Sequence, residues 1–87
     1  IINHTPTKKE NMKKLLKMLN QVKGSSKCVV LIPNQDYDSV NHMSKGDECL
    51  VCWYDKDTNC FSVKNSEGYG FIKIPASDLY MFDYQIR

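Results

Sequence analysis

Cys49 and Cys52 stand three residues apart within KGDECLVCWYDKD, the spacing of a CxxC pair that holds zinc or cycles between dithiol and disulfide. A zinc site of this kind needs a second ligand pair at matching spacing, and His4, His42 and Cys60 do not form one. A redox pair needs a helix amino terminus to lower one thiol's pKa, whereas Trp53, Tyr54 and Asp55 follow Cys52 here. The apolar run after Gly46-Asp47 reads as a strand, and a strand sends residues three apart to opposite faces. The cysteines are therefore expected to pack, Cys49 with Val51 toward a core and Cys52 with Leu50 outward.

Other chemical patterns are incomplete in the same way. Asp55, Asp57 and Asn59 imitate the start of a calcium loop, but Cys60 and Ser66 occupy the places where such a loop needs Gly and a bidentate Glu. A hairpin turn is expected there instead. Gly68-Tyr69-Gly70 lacks the length and the following helix of a phosphate loop. His4 and His42 lie far apart in polar surroundings, and no nucleophile or carboxylate sits at a triad or acid–base spacing. The pattern predicts a chain without catalytic residues, metal or cofactor, which acts by binding.

Any binding surface must be held by one helix and several short strands. Thr7 followed by Glu10 is a capping box, and Met12, Leu15, Leu16, Leu19 and Val22 recur at the spacing of one apolar helical stripe. Gly24-Ser25-Ser26 then stops a helix expected over 7–23. From Cys28 the runs CVVLI, ECLVCWY, CFSVKN and YGFIKI are separated by turn residues. Such tight spacing leaves no room for crossover helices, so a mainly β fold is expected, an antiparallel sheet of about five strands closed into a small barrel or orthogonal sandwich with the helix packed on it. Residues 1–6 are read as a disordered lead, and 28–87 as the barrel of a single compact domain over 7–84. Met12, Leu15, Leu16 and Leu19 are expected to cover Leu50 and Cys52.

With 87 residues, 41% hydrophobic and 25% charged, the composition is that of one soluble globular module. No apolar stretch approaches the roughly 18 residues that span a bilayer. The chain opens on Ile1 and reads as part of a longer protein. Its four cysteines match no small disulfide framework, which predicts reduced thiols and a cytoplasmic setting. Asn3-His4-Thr5 is a glycosylation-type triplet of little weight in that setting. Charge is uneven: residues 1–27 carry a net +6 and residues 28–87 a net −4. Nucleic acid is not an expected partner, because the strands carry no basic–aromatic recognition pattern.

MSKGDECLV, CFSVKNSEGYGFI and IPASDL together resemble the second half of an SH3 domain: a diverging turn, a Gly-Asp strand, a distal hairpin and a Gly-aromatic strand leading to a 3₁₀ turn. The resemblance covers residues 28 to about 82. With the lysine-rich helix ahead of it, the chain is similar to the helically extended SH3 domains of the Fyn-binding (adhesion- and degranulation-promoting) adapter family. GFIKIPASDLYMFD is also similar to the SH3 domain that follows the BAR domain in Tuba-type Rho exchange factors. Two departures matter: Val29 to Pro33 fill the slot of the Ala-Leu-Tyr-Asp-Tyr motif, and the groove tryptophan falls on Asn59 or Cys60. The resemblance thus implies an adapter or signalling module whose proline-peptide groove is eroded. A Tudor domain is the rival, since GDECLVCWYDKD and YGFIKIPASDL resemble its landmarks and imply an aromatic cage for methylated Lys or Arg.

Four sets of site residues follow. Lys9, Lys13, Lys14 and Lys17 are candidates for acidic phospholipid, at the inner face of the plasma membrane. Trp53, Phe61, Tyr69 and Phe71 are candidates for a protein or peptide partner, and Trp53, Tyr54, Phe61 and Tyr69 for the cage. Tyr37, in QDYDSV, is a candidate phosphorylation site, as are Tyr80 and Tyr84 in LYMFDYQ. The isolated domain is expected to be monomeric.

Overall fold

The structure is a computed structural model that describes residues 7–41, 43–65 and 70–87. The lead over 1–6, the Asn3 triplet, His42, the turn at Ser66-Glu67-Gly68 and Tyr69 lie outside the described residues. Helix α1 (Lys8–Val22) is followed by strands β1 (Val29–Pro33), β2 (Cys49–Asp55), β3 (Cys60–Asn65), β4 (Phe71–Pro75) and β5 (Phe82–Ile86). The strands form one antiparallel sheet in the order β4-β3-β2-β1-β5, and a 3₁₀ turn (Ala76–Met81) joins the outermost two. The fold is mainly β with an amino-terminal helix packed on it, as the pattern predicts.

The helix starts where its cap predicts. The Glu10 amide donates to Thr7 Oγ1 at 3.1 Å, and the Thr7 amide donates to Glu10 Oε1 at 3.4 Å. Two amides that the first helical turn leaves without partners are satisfied in this way. Thr7→Ala is expected to cost about 1 kcal/mol, read from urea denaturation, while Thr7→Ser keeps most of it.

Leu15 is fully buried in the same cluster as Val29, Leu31, Phe61, Ile74, Leu79 and Phe82, so helix and sheet share one core. The helix lies against the 3₁₀ turn, β1 and β5, and this corrects one expectation. Its stripe does not cover Leu50, which stays 39% exposed, whereas Cys52 is half-buried and lines a groove shared with Leu19 and Val22 of the helix. The burial preferences of β2 are as expected near its start: Cys49 and Val51 face inward, while Leu50 and Cys52 do not.

Residues 34–48 form a long connection that is tied down at both ends. The Gly46 amide donates to the Pro33 carbonyl at 2.9 Å, and Gly46 takes φ of +89°, a turn that an L side chain would strain. Met43 is fully buried beneath this segment, and the buried Asn65 amide donates to the Asn41 carbonyl from β3. At the opposite end, Asn59 adopts a left-handed φ of 55° in the β2–β3 hairpin turn, and its side chain accepts from the Tyr54 hydroxyl at 2.7 Å. The calcium-like residues are thus turn residues, with Asp55 Oδ1 accepting from the Asp57 amide at 2.9 Å.

Candidate functional site

Strand β2 is the element that decides which aromatic residues reach the surface. Val51 pairs with Val63, but the next pair is Trp53 with Ser62, so Cys52 is the extra residue of a β-bulge. Without the bulge, alternation would carry Trp53 inward after Cys49 and Val51. With it, the phase slips by one: Trp53 turns out at 48% exposure and Tyr54 turns in, its ring 4.7 Å from that of Phe61.

Register then assembles the outer face of β2, β3 and β4. Residues directly opposite in adjacent strands share a face, so Leu50, Lys64 and Phe71 make one row and Trp53, Ser62 and Lys73 the next. Phe71 is 56% exposed, and its ring meets that of Trp53 diagonally, centroids 4.6 Å apart at 57°. Ser62 beneath them is 1% exposed. Leu50, Trp53 and Phe71 therefore form an exposed apolar surface with Lys64 and Lys73 beside it.

Two of the four predicted peptide residues, Trp53 and Phe71, are brought together here. Phe61 is not one of them: it is fully buried, and the expectation is corrected. Its strand carries a plain signal for this, since Phe61 and Val63 alternate on the inward face opposite Tyr54 and Val51. Tyr69 lies outside the described residues. The predicted cage is not assembled among the described residues either, because Phe61 is fully buried with the half-buried Tyr54 packed on it, while Trp53 is turned to the outer face.

No family model, no curated protein and no solved structure matches the chain. The site must speak through its own geometry.

The basic helix presents a second surface. Lys9, Lys13, Lys14 and Lys17 are all exposed. Lys13, Lys14 and Lys17 border a shallow depression together with Glu10, and Lys14 Nζ sits 5.6 Å from the centre of the Tyr84 ring. No helix among the described residues is long and apolar enough to cross a membrane.

The candidate phosphorylation sites divide by environment. Tyr37 is half-buried; its hydroxyl donates to Asp78 Oδ2 at 2.6 Å, and its ring lies 4.9 Å from that of Phe82. A phosphate there would replace this bond with repulsion from Asp78, so the native packing disfavours modification. Tyr84 is likewise engaged, donating to the Leu79 carbonyl at 2.9 Å, whereas Tyr80 is 57% exposed.

Cys49, Cys52, Cys28 and Cys60 are free, and no cluster of metal-ligating side chains occurs among the described residues. Burial, reinforced by Asp47, pushes the Cys49 thiol up to about 11. Burial and then Asp83 push Tyr84 up to about 12. Tyr37 is raised by burial, then by its bond to Asp78 and the charges of Asp78 and Asp38. In the unfolded chain such groups ionise near their ordinary values, about 8.5 for Cys and about 10 for Tyr. Above those values the unfolded state has released protons that the folded state keeps. Stability is therefore complete below about pH 8.5 and falls as pH climbs through the folded values. Urea midpoints should decline steadily from about pH 9 upward; a flat profile to about pH 11 would refute the assignment.

Proposed function

We propose that the chain is a non-catalytic interaction module with an SH3-like barrel, part of an adapter or signalling protein, that binds a peptide through its outer sheet face. The observation that carries this reading is the exposed Trp53–Phe71 pair with Leu50 beside it. Large aromatic side chains held at the surface of a sheet are the kind of group that dominates binding energy when a partner covers them. The strand order, with a 3₁₀ turn between β4 and β5, supports the SH3-like assignment. A conventional proline groove has no support, because β1 carries buried Val29, Val30, Leu31 and Pro33 where the stacking tyrosines would stand.

Selection of phage-displayed random peptides on the full chain, with W53A as the counter-selector, tests the reading. Enriched peptides should shift the amides of Leu50, Trp53 and Phe71 in heteronuclear spectra. Failure to enrich any peptide over W53A would overturn it. A methyl-lysine peptide in the same titration probes the Tudor-like alternative, which requires a shift confined to Trp53 and its ring neighbours.

A second reading rests on a separate observation, the exposed lysines of α1. Lys9, Lys13, Lys14 and Lys17 offer about 1 kcal/mol each of attraction to an anionic surface, enough in combination for weak recruitment to the inner face of the plasma membrane. Vesicle sedimentation decides it. Binding should favour phosphatidylserine over neutral vesicles and fade with salt, and equal binding to both would eliminate the reading.

A further inference from the structure

Strands β1 and β2 pair only at Val30–Leu50 and Leu31–Cys49, so their ladder stops short of Val51 and of Cys52, where β2 bulges against β3. The last turn of α1 approaches this gap without filling it. What remains is a half-open groove of about 540 Å³, lined by Leu19 and Val22 from α1 and by Val29, Val51 and Trp53 from the sheet. Its charged lining is Lys23 and Lys27. Trp53 is common to this groove and to the outer face, where Lys64 and Lys73 stand exposed in the rows of Leu50 and Trp53.

The carboxylates at the two ends of β2 are already engaged. Glu48 Oε1 accepts from Arg87 Nε at 2.7 Å, which holds its carboxyl below the ordinary range. Asp55 accepts from the backbone of its own turn and lies near Lys73. The continuous apolar strip from Leu19 through Trp53 to Phe71 is thus flanked by four lysines, Lys23, Lys27, Lys64 and Lys73. An apolar strip between cations is complementary to an apolar anchor between anions.

We infer that the partner is an acidic peptide segment carrying one bulky aliphatic or aromatic side chain, which enters the groove between α1 and Trp53 while flanking carboxylates meet these lysines. The inference rests on the peptide-binding reading above and narrows it to one chemical class. The apolar contact supplies the anchor, and the lysines select the sign of the ligand's charge and speed its encounter.

Trp53 is the sole tryptophan, so its emission reports occupancy directly. The probe is a synthetic peptide of Glu and Asp around a central Leu, titrated into the full chain beside its Lys-for-acid counterpart, a proline-rich peptide and phosphatidylserine vesicles. The acidic peptide should shift Trp53 emission to the blue and saturate, weakening as salt rises. The charge-reversed peptide should bind at least about tenfold more weakly, as should the acidic peptide to the variants Lys27→Glu and Lys64→Glu. Unchanged urea midpoints of those variants would attribute the loss to the surface. Equal binding of the two charged peptides, or an emission shift with vesicles alone, overturns the inference. A shift with the proline-rich peptide and none with the acidic one overturns it too, but leaves the peptide reading standing. If no peptide moves Trp53 and the phage selection is empty, both fall.

Discussion

Replacing Phe61 by Ala is expected to remove about 3–5 kcal/mol of folding stability, the usual cost of deleting a fully buried aromatic ring. Phe61 is 0% exposed, packs 4.7 Å from the Tyr54 ring, and sits in the core cluster with Leu15, Val63 and Ile74. Neither neighbouring strand can collapse into the space, because β3 is paired on both sides by β2 and β4. Urea denaturation at neutral pH measures the loss. The informative comparison is Trp53→Ala, which leaves the core intact and should change stability by no more than about 1 kcal/mol, as expected for a half-exposed side chain. The two residues, grouped together by sequence, should thus separate cleanly: one variant unfolds early, and the other folds but loses its ligand. Similar stability losses for both would mean that Trp53 is a core residue and that the outer-face site is wrong.

The second large effect belongs to the helix. Leu15→Ala should cost about 2–5 kcal/mol, because Leu15 is fully buried and α1 joins the core through it. Met12, Leu16, Leu19 and Val22 are only partly buried around it, so each single truncation to Ala should cost less than Leu15. Deletion of residues 1–26 extends the test. It would uncover Leu79, Phe82 and the parts of β1 and β5 on which α1 lies, and the remaining sheet should be strongly destabilised or associate. A truncated chain of equal stability would show that the helix is an appendage. Lys13→Ala is the control on the opposite face: its side chain is exposed, and its removal should leave stability within about 0.5 kcal/mol.

These contrasts turn on information of different reach. The amino-acid pattern by itself determines the local elements. Thr7 and Glu10 place the start of α1, the stripe through Leu15 gives its buried face, and Gly24, with φ of +79°, marks its end. Alternation along CFSVKN and the Asp55–Asn59 turn likewise determine a hairpin, since side-chain period and turn chemistry act within a few residues. They also dispose of the CxxC pair, because Cys49 enters the core and Cys52 does not.

The tertiary structure alone decides where the aromatic residues go. The bulge at Cys52 has no marker in ECLVCWY, where adjacent Trp53 and Tyr54 fit either phase of alternation. Which ring turns inward depends on the register with β3, which pairs Tyr54 with Phe61 and Trp53 with small Ser62. The seat of α1 is equally nonlocal. Its stripe fits any apolar surface, and it settles over the 3₁₀ turn, β1 and β5, leaving Leu50 open and a groove beside Trp53. Hydrophobic burial is non-directional, so a sequence can specify that a face is buried without specifying against what. The candidate site exists because one inserted residue turned Trp53 outward and the helix docked elsewhere.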